Sequence, residues 1–160
     1  VEDLSDLFRA SLGKENHFLP LAEELYLTHR YLHIEGLRLG ERLQVDWQIA
    51  VGLDTVLLPP LILQPLVENA VYHGIEPRPD GGTVIIGAAR NGQQLELWVS
   101  NPVVDGEPTM RHSGNRVALN NIRERLAAHY GEQASLTMTS STERVVVRIT
   151  MPLQEGRDTK

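Results

Sequence analysis

LQPLVENAVYHG, Leu63–Gly74, is the stretch on which the reading of the whole chain turns. Leu63, Leu66, Val67 and Ala70 recur at the spacing of a buried helical stripe. Two polar pairs interrupt the stretch, Glu68-Asn69 and His73-Gly74. Asn69 and His73 stand four residues apart, so the helix projects them side by side at the edge of the stripe. Glu68 lies about 100° round the axis from Asn69 and stands apart from the pair. An amide oxygen is a hard neutral donor suited to Mg²⁺, and a neighbouring imidazole can donate to a phosphate oxygen, so the pair suits a metal-bound polyphosphate. The helix pattern by itself favours a plainer role, in which both side chains satisfy backbone groups of a neighbouring loop.

Working outward, Pro59-Pro60 are tolerated only at a helix start, which opens this helix near residue 60 and runs it to Gly74. Upstream, Leu43, Val45, Trp47, Ile49 and Val51 alternate with polar or small residues, the signature of a half-buried strand. Before it, Pro20 starts a long helix with Leu21, Leu25, Thr28, Leu32 and Leu39 on one stripe and Gly40 as its stop. Gly36 weakens that helix by roughly 1 kcal/mol relative to alanine. EDLSDLFRASL, residues 2–12, reads as a short amphipathic helix. Downstream, TVIIGAAR and QLELWVS flank Asn91-Gly92, a strong hairpin signal. Residues 101–118 have no periodicity and predict a functional loop. Leu119, Ile122, Leu126 and Tyr130 then mark a helix ending at Gly131, SLTMT and RVVVRITM a second hairpin, and QEGRDTK a frayed polar tail. Two leading helices, then strand, helix, hairpin, loop, helix and hairpin give an α+β two-layer sandwich, a mixed and mostly antiparallel sheet with helices on one face.

Composition narrows the function. The chain has 160 residues, net charge −6 and 41% hydrophobic residues, which fits one compact domain with a single core. With no dense basic stripe, a nucleic-acid groove is disfavoured. Zero cysteines exclude disulfides and thiolate metal sites and agree with a reducing compartment. The most apolar run, VLLPPLILQPLV at 56–67, is shorter than the ~20 residues of a membrane helix and carries three prolines, so no membrane contact is expected of this chain. The start at VEDLSDLF reads as a cut inside a longer protein. His29 and His33 have metal-compatible spacing but no third ligand nearby, and read as helix surface; His129 reads as a helix-end residue favoured by the dipole.

LQPLVENAVYHG resembles the N-box of the GHKL (Bergerat, HATPase) ATP-binding fold in the version carried by LytS/YehU-type sensor histidine kinases. LPLAEELYLTHRYLHIEGLRLGERL is similar to the segment that precedes that box, and GNRVALNNIRERLAAHYG to its second glycine box with the following helix. HGIEP and GNRVALNNIR are also similar to sensors of the alginate-regulating kind. Together the motifs span most of residues 4–152 in the order and spacing of that group. The resemblance implies that Asn69 ligates a Mg²⁺ bridging the phosphates of ATP, with His73 and Gly74 at the phosphate end. Glu68 either orients the nucleophile or tunes the magnesium shell, or else is an ordinary solvated helix residue. Hydrolytic members place a glutamate four residues before the asparagine, where this chain has Pro65; that favours phosphoryl transfer to a histidine outside the chain.

The chain also departs from the pattern. Where the first glycine box has Asp-x-Gly, it has Asn101-Pro102-Val103. Asn101 can still accept from an adenine amino group, but without charge; Asp105-Gly106, displaced along the loop, is only a secondary candidate for that role. In the second box Gly114, Leu119 and Asn121 match, while Arg116 and Ala118 replace glycines that let backbone N–H groups approach phosphate. Arg116 either lends a cation to the phosphates or faces solvent. Asn16-His17-Phe18-Leu19 mimics the family's acceptor motif without its preceding proline, and His17 reads as a linker residue.

The expected organisation is a helical segment over 1–40 leading from a dimerisation and acceptor region, a GHKL catalytic domain over 41–153, and a tail over 154–160. The resemblance further implies a cytoplasmic domain of an inner-membrane-anchored bacterial sensor, homodimeric at full length, with a response regulator of the LytTR type as partner. The competing expectation is a degenerate GHKL interaction module that has lost tight ATP binding through Asn101 and Arg116.

Overall fold

The computed structural model describes residues 18–104 and 109–156, and of residues 109–116 the backbone only. The expected helix over 2–12, His17 and Asp105-Gly106 lie outside the described residues.

The elements are β1 (Leu19–Pro20), α1 (Leu21–Leu39), β2 (Leu43–Ile49), β3 (Leu57–Leu58), α2 (Leu63–Ala70), β4 (Gly82–Asn91), β5 (Gln94–Pro102), α3 (Thr109–Tyr130), β6 (Ser135–Ser140) and β7 (Arg144–Pro152). A five-stranded sheet runs β2-β4-β5-β7-β6. Only the β2–β4 pair is parallel. The mixed sheet follows from connectivity: the two hairpins pair antiparallel, and the crossover from β2 through α2 to β4 returns parallel.

Alternate residues of each central strand face inward. Val84, Ile86 and Ala88 of β4, Leu95, Leu97 and Val99 of β5 and Val147, Ile149 and Met151 of β7 are buried against the helices. The helices answer with Leu21, Leu32 and Leu39 from α1, Leu63, Leu66, Val67 and Ala70 from α2, and Leu119, Ile122 and Leu126 from α3. On the other face Trp98 lies flat on Gly87, where an added Cβ would come within 2.0 Å of the indole. Arg148 caps the ring at 5.5 Å.

Four features differ from the sequence reading. α2 begins at Leu63 rather than near 60, because Leu61 adopts φ 59°, a left-handed conformation that no helix continues. Its end widens into a π turn, Val71–Ile75, that carries the chain through Gly74. The expected loop over 101–118 is helical from Thr109: Arg116 and Ala118 are helix formers at positions where glycines would have broken the helix. The tail is tied down as far as Gly156, with Leu57 N–H donating to Gln154 O at 2.7 Å and Gly156 N–H to Thr55 O at 2.8 Å. Backbone groups of Thr55–Leu57 needed partners, and the tail supplies them. β1 and β3 form a two-residue ladder beside it that the sequence did not announce.

Candidate functional site

Asn69 sits near the end of α2 and His73 in the π turn that follows, both half-buried at the rim of the helix. The His73 ring meets Tyr72 edge to face, with centroids 4.9 Å apart. Gly74 is buried directly against Asn101, near the end of β5. A Cβ on Gly74 would fall 2.5 Å from Asn101 Nδ2, 2.6 Å from its Cβ and 2.7 Å from its Cγ. The structure thus brings together Gly74 and Asn101, two segments that the sequence reading linked only through separate motifs. Asn101 Nδ2 donates to Pro102 O at 2.8 Å, which fixes the amide orientation and leaves Oδ1 as its acceptor.

Glu68 takes another direction. Gln64 Nε2 donates to Glu68 Oε2 at 2.9 Å. Burial first, then the charges of Glu35 and Glu68, push the hydroxyl pKa of Tyr31 on α1 well above its ordinary value, so Glu68 acts electrostatically on the α1 side of its helix. Gln64 Oε1 is buried with no hydrogen-bond partner. On α3, Leu119 is in the core, Ala118 half-buried and Asn121 exposed. Gly114 and Arg116 lie on the same helix, upstream of these.

The largest surprise is how α2 is held. Glu24 of α1, only 1% exposed, accepts from Leu61 N–H at 2.8 Å and from Leu63 N–H at 3.0 Å, one on each carboxylate oxygen. The carboxylate caps the start of α2 and complements its dipole. Arg125 of α3 donates to the carbonyls of Pro60 and Leu61, so the left-handed residue is gripped on both sides of its backbone. Burial raises the Glu24 pKa above its ordinary value, opposed by the backbone N–H groups and by Arg125. At the far end, Arg42 Nη2 donates to Glu76 O and Arg78 O at 2.9 Å each and to Ile75 O at 3.3 Å. Arg38 pairs with Glu35 and Glu76. A signal for Glu24 existed in the sequence: positions 21, 24, 28, 32, 35 and 39 form one helical stripe, and two of them are glutamates that a solvent face would not explain.

A cleft of about 400 Å³ opens elsewhere, lined by Arg78, Thr83, Val103, Thr142 and Arg144 among others and by none of Asn69, His73 or Asn101. Its arginines serve the fold. Arg144 donates to Ser100 Oγ at 2.8 Å and Thr83 O at 2.6 Å, and Arg78 to Gly81 O at 2.7 Å and Val103 O at 3.2 Å. Size alone therefore does not make this cleft the site.

The family model for histidine kinase matches residues 1–43. The chain is 35% identical over 153 residues to the sensor histidine kinase BtsS of Escherichia coli K12, covering 96% of this chain and 27% of the relative. It is 31% identical over 154 residues to the sensor histidine kinase YesM of Bacillus subtilis, covering 93% of this chain and 27% of the relative. The chain thus spans about a quarter of the length of these curated relatives. Among solved structures, the nucleotide-free catalytic domain of histidine kinase ThkA superposes with TM-score 0.62 at 14% identity, covering 85% of this chain and 94% of that one. Full-length ShkA in complex with AMPPNP superposes with TM-score 0.60 at 19% identity, covering 87% of this chain and 32% of that one. The fold is that of histidine kinase catalytic domains.

Proposed function

We propose, from the premise that the homologues of this chain are sensor histidine kinases, that it is the catalytic domain of such a kinase, binding Mg-ATP and donating the γ-phosphoryl group to a histidine outside residues 1–160. The observation that carries the reading is the contact of Gly74 with Asn101, because it joins the segment bearing Asn69 to the one bearing the adenine acceptor. Asn69 supplies a neutral amide oxygen at a half-buried rim; one such donor, completed by phosphate oxygens and water, suits Mg²⁺. A bound Mg²⁺ would neutralise charge on the β- and γ-phosphates. His73 takes the phosphate end and Asn101 Oδ1 accepts from the adenine amino group; Gly74, packed on Asn101, belongs with the adenine end, because the ribose holds the two ends of ATP apart. Gly114, Arg116, Ala118, Leu119 and Asn121 form the side of the nucleotide site contributed by α3. Glu68, bonded to Gln64 and turned toward α1, is the candidate for orienting the nucleophile or tuning the magnesium shell, and acts only if it swings from that bond.

Residues 1–40 lead from the dimerisation and acceptor region, 41–153 carry the nucleotide, and 154–160 form the tail. In the full-length protein the partners are a second copy of the chain and a response regulator of the LytTR type, with this domain on the cytoplasmic side of an inner-membrane anchor. Among the described residues no helix is long and apolar enough to cross a membrane. Titration with a fluorescent ATP analogue tests the reading. Wild type binds saturably and Mg²⁺-dependently, and Asn69→Ala abolishes binding while the protein stays folded. A folded wild type that binds nothing at millimolar nucleotide points instead to an interaction module without ATP.

A further inference from the structure

α1 and α2 run side by side in the same direction: the start of α1 touches the start of α2, and the turn after α1 touches the end of α2. Glu24 supplies an anion where the N–H groups of Leu61 and Leu63 point outward, and Arg42 supplies a cation where the carbonyls of Ile75, Glu76 and Arg78 do. Leu63 N–H is one of the groups a helix start leaves unsatisfied, Ile75 and Glu76 close the π turn, and the charges have the signs the helix dipole favours. Between the two anchors Leu32 and Leu39 bury the flank of α1 in the common core. Asn69 lies midway, six residues after Leu63 and six before Ile75. Half exposed, the Arg38 pair adds less than the buried contacts. The ladder of β1 with β3 fixes the entry to α1 against the chain that leads into α2.

We propose that α1 is a splint for the helix that bears Asn69, with Glu24 and Arg42 as positioning residues that set where Asn69 meets the metal-bound nucleotide; this rests on the Mg-ATP reading above. Neither side chain touches the nucleotide. Anchoring at both ends makes α2 follow α1, so loosening either anchor shifts Asn69 and changes nucleotide affinity.

The test uses the whole chain and four variants: Glu24→Gln, Arg42→Gln, Arg42→Lys and, as a control, Leu32→Ala, which removes core packing from the same helix without touching either anchor. Hydrogen exchange without nucleotide, Mg²⁺-dependent binding of the fluorescent ATP analogue and the melting midpoint are read on each. Glu24→Gln speeds exchange at residues 61–63 and Arg42→Gln at residues 74–78, each well beyond the change at the opposite end. Both weaken nucleotide binding about tenfold, the size of one charged hydrogen bond. Arg42→Lys restores part of the loss, and Leu32→Ala, at equal or greater loss of melting midpoint, changes affinity less than about twofold. Overturning results are anchor variants with wild-type affinity, or Leu32→Ala weakening binding as much as Arg42→Gln. If wild type binds no nucleotide, the Mg-ATP reading fails. The exchange measurements then decide the splint alone: loosening confined to the mutated end upholds it, and uniform loosening overturns it.

Discussion

α2 and the beginning of α3 are both helical, both carry expected nucleotide residues, and are held by opposite means. α2 has only eight α-helical residues and a π turn, yet tertiary contacts reach its backbone at both ends, from Glu24 and Arg125 at one and Arg42 at the other. α3 has 22 residues, and its first buried side chain among those described is Leu119; Val117 just before it is 62% exposed. A short helix is marginal by itself and takes its position from what grips its ends, whereas a long one adds a hydrogen bond per residue and leans on a packed face, here Leu119, Ile122 and Leu126. Residues on α2 are therefore placed by the whole fold. Val117 and Ala118, the described side chains just ahead of Leu119, are exposed and half-buried, so burial does less to place them.

The change expected to do most to break this contrast is Gly74→Ala. The new methyl would collide with Asn101 Cβ, which cannot swing aside as the end of a side chain can. Overpacking of this kind costs about 1–3 kcal/mol and should part the two segments of the candidate site. Denaturant unfolding should show the loss, together with nucleotide affinity falling by more than stability explains. Survival of both at wild-type values would mean that the Gly74–Asn101 contact is not a constraint.

A gentler change probes the other helix. Replacing Arg116 and Ala118 together by glycine costs about 1 kcal/mol per position if the helix persists, and less if it shortens instead. Far-UV circular dichroism should report lost helix and hydrogen exchange should quicken over residues 109–118, while residues 63–70 remain as protected as before. Equal loosening of α2 would show that the two helices are not independent.

The smallest effect is one of slope. Because the Glu24 pKa is raised on folding, the folded chain holds a proton there that the unfolded chain has released, in the window just above the ordinary value of 4.5. The contribution of Glu24 to stability is therefore fullest below that window and declines as pH rises through it. The difference in unfolding free energy between wild type and Glu24→Gln should shrink over the same range. A difference that grows with pH would show that the backbone donors and Arg125 outweigh burial.

The sequence by itself determined most of the elements, the buried stripe of α2 and the resemblance of three motifs, because periodicity and turn chemistry are local properties. The strand of β2, the hairpin at Asn91-Gly92 and the stripe of α2 all appear where alternation and spacing put them. Local signals also misled: the lack of periodicity over 101–118 concealed a helix from Thr109, and a polar tail hid backbone groups that the neighbouring chain needed. Only the tertiary structure decided that Gly74 lies on Asn101, that Leu61 is turned left-handed between a carboxylate and a guanidinium, and that α1 and the turn after it reach the two ends of the α2 segment. The reason is physical. Backbone groups around helix ends have no signature in the residues that carry them, and the charges that meet them come from parts of the chain 34 to 65 residues away.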